Sequence, residues 1–78
     1  MDNIEKLKAA FNEGIGLDKG KIDDSLSYGS GGWDSVAHMK LIAAIENTFD
    51  IMLDTEDVID MSSFLKAKEI VAKYGIVC

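Results

Sequence analysis

The sequence predicts an all-α fold, a small four-helix bundle of three main helices and one short helix with a long first loop. Three observations carry that expectation. Apolar residues recur at helical spacing in three segments, no proline interrupts them, and the short apolar run Ile51-Met52-Leu53 has no second run to pair with as a strand. The chain has 78 residues, 47% of them hydrophobic and 28% charged, and is expected to fold as a single domain, 1–78, around one modest core. A core of that size leaves little room for an enclosed catalytic pocket beside it.

The first helix is expected from Asn3 to Glu13, where Ile4, Leu7, Ala10 and Phe11 share a face and Gly14 and Gly16 supply the stop. Gly14 to Trp33 then reads as a long connection rich in glycine, serine and aspartate, with Leu17, Ile22, Leu26 and Tyr28 as candidate buried anchors. The strongest periodic segment runs from Ser35 to Phe49, with apolar residues at Val36, Met39, Leu41, Ile42, Ala43, Ile45 and Phe49. Asp34 is placed to cap it, since a carboxylate there accepts from the unpaired amides of the first turn. Ile51-Met52-Leu53 is expected as a packed connection. Asp54 or Thr55 then caps a short helical turn over Glu56, Asp57, Val58 and Ile59. A last helix after Ser62 carries the stripe Phe64, Ala67, Ile70, Val71 and Tyr74, and Gly75 ends it. Met39, Met52 and Met61 are expected to be adaptable core residues, and Trp33 a loop anchor.

Eight basic against 14 acidic residues give a net charge of −6. Nucleic-acid binding relies on Lys and Arg displacing counterions from a polyanion, so this balance argues against nucleic acid and anionic membranes and for protein partners with basic patches. Cys78 is the one cysteine, which excludes an internal disulfide or a cysteine-rich zinc site. The opening residues form no signal segment, and no stretch is long enough to cross a bilayer. A cytoplasmic monomer, not inserted in a membrane, is the expectation.

Ser35 is the residue with chemical promise. It stands in the first turn of the best-defined helix, behind Asp34 and the flexible pair Gly31-Gly32. A phosphate ester there would meet unpaired amides and the positive end of the helix dipole. His38, three residues on, could share a face with Ser35 as a general base, but no third group that would orient it is evident, and a solvated or partner-facing histidine is expected instead. The acids Asp18, Asp23 and Asp24, and Asp54, Glu56, Asp57 and Asp60, lack the alternate-position ligands, central glycine and closing glutamate of an EF-hand, so no metal site is expected.

The stretch from Trp33 to Phe49, WDSVAHMKLIAAIENTF, resembles the signature of acyl carrier proteins: an Asp-Ser pair, then spaced aliphatics, an acid and a Phe, with Val36, Met39, Leu41, Ile42, Ile45 and Phe49 in register. The resemblance extends to the first helix, the glycine-bearing loop, the acidic turn Asp54-Thr55-Glu56-Asp57 and the last helix, nearly the whole chain. It implies a bundle of acyl-carrier type that catalyses nothing itself. A separate phosphopantetheinyl transferase would use the Ser35 hydroxyl to take a 4′-phosphopantetheine arm from coenzyme A, with Asp34 positioning the loading, and acyl groups would ride on the arm as thioesters. Partners would be that transferase and acyl-loading and acyl-transferring enzymes with basic docking patches, engaging Val36, His38, Met39, Lys40, Glu46, Glu56 and Asp57.

Two departures bear on function. Ala37, His38, Lys40 and Asn47 stand where fatty-acid carriers often have acids, which points to a specialised pathway such as a saccharide, lipid or secondary-metabolite route rather than housekeeping fatty-acid synthesis. Gly31-Gly32 resembles the residues ahead of the serine in peptidyl carriers. An aminoacyl or peptidyl carrier, and a non-catalytic helical interaction module, stand as the alternatives.

Overall fold

A computed structural model describes residues 2–78. Four α-helices are present among them: α1 (Asn3–Ile15), α2 (Ser35–Phe49), α3 (Thr55–Asp60) and α4 (Phe64–Ala72), with a 3₁₀ turn at Lys19–Lys21. No strand occurs among the described residues, where the sole β-type pairing is an isolated bridge between Ser27 and Ser63. None of these helices is long and apolar enough to cross a membrane.

Side-chain caps set the starts of α1, α2 and α4, whereas Asp54 at the start of α3 makes no side-chain cap bond, contrary to the expectation. Asp2 caps α1 by accepting from the amide of Glu5, and Ser63 caps α4 by accepting from that of Lys66. Of the two glycines expected to stop α1, Gly16 does so: the helix runs past Gly14 to Ile15 and ends at Gly16, whose φ of 82° is the left-handed conformation glycine reaches without strain. Gly14 is instead a buried crossing point. A Cβ there would lie 2.4 Å from Leu41 Cα, so the missing side chain is what lets α1 and α2 pack backbone to backbone. α4 is shorter than expected, ending at Ala72, with Tyr74 in the turn beyond it and Gly75 at a φ of 87°.

The core sits where α1, α2 and α4 meet the long loop. Phe11 lies at its centre, edge-on to Trp33 at 5.3 Å and to Phe64 at 5.0 Å between ring centroids. Around it pack Leu7 and Ala10 of α1, Leu41 and Ile45 of α2, and Ala67, Ile70 and Val71 of α4. The loop is fastened by Ile22 and Leu26, which are buried, and by backbone bonds from Phe64 to the Leu26 carbonyl and from Tyr28 to the Ser62 carbonyl. Tyr28 does not anchor it as expected, being 48% exposed. The methionines divide as well. Met61 is buried, but Met39 and Met52 are 62% and 83% exposed, because each falls on the face of its segment turned away from the core.

Candidate functional site

The segment leading into α2 is a compact series of turns that ends on a buried side chain. The Gly29 amide bonds the Trp33 carbonyl at 2.8 Å, and the Trp33 amide bonds the Ser30 carbonyl at 3.0 Å. Gly31 and Gly32 lie at φ values of 61° and 83°, conformations open to glycine and strained for other residues. These turns deliver the Trp33 indole into the core, where it is 1% exposed, the anchor the sequence suggests. Two residues later the chain is back at the surface, and Ser35 is exposed.

Asp34 holds the start of the helix. Its Oδ1 accepts from the Ala37 amide at 2.8 Å and its carbonyl from the His38 amide at 2.8 Å. The amides of Ser35 and Val36 take no acceptor among the described residues. An exposed hydroxyl beside two unpaired N–H groups at the positive end of a 15-residue helix is a chemical fit for a phosphate ester.

One turn along α2, His38 is half-buried and engaged through both ring nitrogens. The indole Nε1–H of Trp33 donates to His38 Nδ1 at 2.9 Å, so Nε2 carries the ring hydrogen and donates to the Val58 carbonyl of α3 at 2.7 Å. The imidazole and indole planes lie 21° apart, with 5.9 Å between centroids, and the imidazole meets the Tyr28 ring edge-on. This corrects the expectation of a solvated or partner-facing histidine, and leaves neither nitrogen for use as a base toward Ser35. An open, largely apolar groove of about 390 Å³ lies beside it, lined by Tyr28, His38, Met39, Val58, Ile59 and Met61 together with Ser62. A larger depression of about 490 Å³, near Lys8, Asp23, Asp24 and Lys68, shares no residue with this region.

The remaining expected docking residues fall into two groups. Val36, Met39, Lys40 and Glu56 are exposed, with Val36 at 64%. Glu46 and Asp57 are not surface acids awaiting a partner. Glu46 is half-buried and its Oε2 accepts from the Leu53 amide at 2.9 Å, fastening the connection after α2. Asp57 is 4% exposed, ion-paired to Lys73 and bonded by the Tyr74 hydroxyl at 2.6 Å. The Lys73 ammonium, and then the Tyr74 hydroxyl, hold the Asp57 carboxyl below the usual carboxylate range. In each case the sequence shows the charge but not the partner, which lies 7 and 16 or 17 residues away. The sequence also misses the link between Trp33 and His38, because a separation of five across a helix start matches neither helical nor strand periodicity.

The chain is a small helical bundle with an exposed serine capped into the start of its second helix. The phosphopantetheine attachment site family matches residues 5–67, and the chain belongs to that family, with acyl carrier proteins as its kin. No curated protein and no solved structure matches the chain. It is therefore a phosphopantetheine carrier protein, and its prosthetic group is covalently attached 4′-phosphopantetheine. Carrier domains of this kind are generally non-catalytic and interact with a phosphopantetheinyl transferase and with pathway enzymes.

Proposed function

We propose that the Ser35 hydroxyl bears the arm and that the chain is a discrete acyl carrier of a specialised biosynthetic pathway. The observation that carries the assignment is an exposed serine at the start of α2, fixed by the Asp34 cap, with the amides of Ser35 and Val36 unpaired beside it. On loading, the Ser35 oxygen forms the phosphodiester bond to the phosphopantetheine half of coenzyme A and gives up its proton, while the adenosine bisphosphate half leaves. Asp34 holds the first turn so that this oxygen is presented to the transferase. When bound, the arm supplies a terminal thiol that holds acyl groups as thioesters.

The surface around α2 supports the specialised assignment. Lys40, Ala43 and Asn47 occupy its exposed side next to Glu13 of α1, and further exposed acids, Asp54, Glu56 and Asp60, lie around α3. Loading and transferring enzymes would engage Val36 and Met39 through apolar contact and Glu56 through a basic patch.

The test is intact-mass measurement after incubation with coenzyme A, magnesium and a broad-specificity phosphopantetheinyl transferase, with wild type and Ser35→Ala side by side. One phosphopantetheine increment on the wild type and none on the variant is the expected result. An increment on both, or on neither when both are folded and enter the assay unmodified, contradicts the assignment.

A further inference from the structure

We infer that His38 is a positioning residue that clasps α3 to the serine-bearing end of α2 and so sets the width of the groove that His38 lines, one helical turn along from Ser35. α3 is six residues long, too short to be stable as a helix on its own, and makes few close backbone approaches to the other helices. Its placement falls to the packing of Val58 against the core and to side-chain bonds. At one side Asp57 is held by Lys73 and Tyr74, and the Tyr74 hydroxyl also accepts from the Asp54 amide at 3.0 Å. At the other, Val58 is among the last residues of α3, whose carbonyls have no partner within the helix, and His38 Nε2–H satisfies that carbonyl at 2.7 Å.

The imidazole can do this because Trp33 fixes it. The indole N–H occupies Nδ1, which assigns the ring hydrogen to Nε2, and the indole, itself buried, fixes that edge of the imidazole in place. Trp33, His38 and Val58 thus form a continuous chain from the loop before Ser35, through the first turns of α2, to α3. His38 and Met39 belong to one wall of the groove; Val58, Ile59 and Met61 belong to the other. Ser35 lies three residues before His38, on the same side of α2. The clasp therefore governs the space open to an apolar group carried next to Ser35, a consequence that rests on Ser35 being the attachment point.

The experiment compares wild type, His38→Ala, His38→Gln and Trp33→Phe by amide hydrogen exchange, with the fluorescence of Trp33, the one tryptophan, as a second readout in the three proteins that keep it. Loss of the bond to Val58 in His38→Ala speeds exchange at the α3 amides of Val58 and Met61 about tenfold, with core amides of α1 and α4 little changed and the indole emission shifted. His38→Gln, whose amide can accept from the indole and donate to Val58, restores most of the protection. Trp33→Phe keeps an aromatic ring but removes the indole donor, and speeds α3 exchange severalfold, which keeps the test open should His38→Ala fail to fold. Unchanged α3 exchange in the folded variants, or acceleration spread equally through α1 and α4, overturns the clasp. Arm attachment is followed separately by intact mass: normal loading with unchanged α3 exchange removes the clasp alone, and absent loading of wild type removes the Ser35 assignment while the exchange result stands.

Discussion

At the scale of single residues, Asp34 and Gly14 each exert an effect out of proportion to their size. The Asp34 carboxylate accepts from the Ala37 amide, so Asp34→Ala leaves that amide unpaired and is expected to lower stability by about 1 kcal/mol, with Asp34→Asn retaining most of it. Urea unfolding of the two variants measures the difference. Gly14→Ala sets two effects against each other. Alanine gains about 1 kcal/mol in helix propensity over glycine, but its Cβ would come within 2.4 Å of Leu41 Cα, a backbone atom that cannot rotate aside. Overpacking of this kind costs about 1–3 kcal/mol, so net destabilisation in thermal melts is expected, and a rise in Tm would show that α1 and α2 can separate freely.

At the scale of elements, α3 has a pH window set by its anchor. Asp57 has a depressed carboxyl pKa, so the stability it contributes is complete above the ordinary carboxylate range and is lost as pH falls through its lowered folded value. Tyr74 and Lys73 have raised values, chiefly through their bonds to Asp57, so their contribution is complete below their ordinary values and is lost as pH rises through the raised ones. Stability measured against pH should therefore fall on both limbs, and Asp57→Asn should flatten the acid limb below about pH 4. An unaltered acid limb in that variant would remove the anchor from this explanation. The same element marks where the sequence stops being legible. The boundaries of α2 are readable because Asp34 and the apolar period are local signals, whereas the burial of Asp57 depends on Lys73 and Tyr74, residues beyond α4 that only the fold brings near. Periodicity marks Met39 as apolar, yet its face of α2 is the outward one. Ser35 could be singled out from its neighbours alone, but the His38 bonds to Trp33 and Val58 could not, since they join a loop, a helix start and a helix end.

At the scale of the whole molecule, the features that hold the bundle together and those proposed to carry the arm are expected to be separable. Ile45 is fully buried in the common core, and Ile45→Ala should cost about 2–5 kcal/mol, a large share of a small domain's stability. Ser35→Ala should unfold within about 0.5 kcal/mol of wild type, because an exposed side chain without packed neighbours contributes little. Equal losses in the two variants would mean that site and core are not distinct. The most direct measurement is tandem mass spectrometry of the tryptic peptide 22–40 from enzymatically loaded protein, a peptide that holds Ser25, Ser27 and Ser30 as well as Ser35. The phosphopantetheine increment is expected on Ser35 alone. Its placement on any of the other three serines, or an unmodified peptide from protein loaded elsewhere, would contradict the assignment.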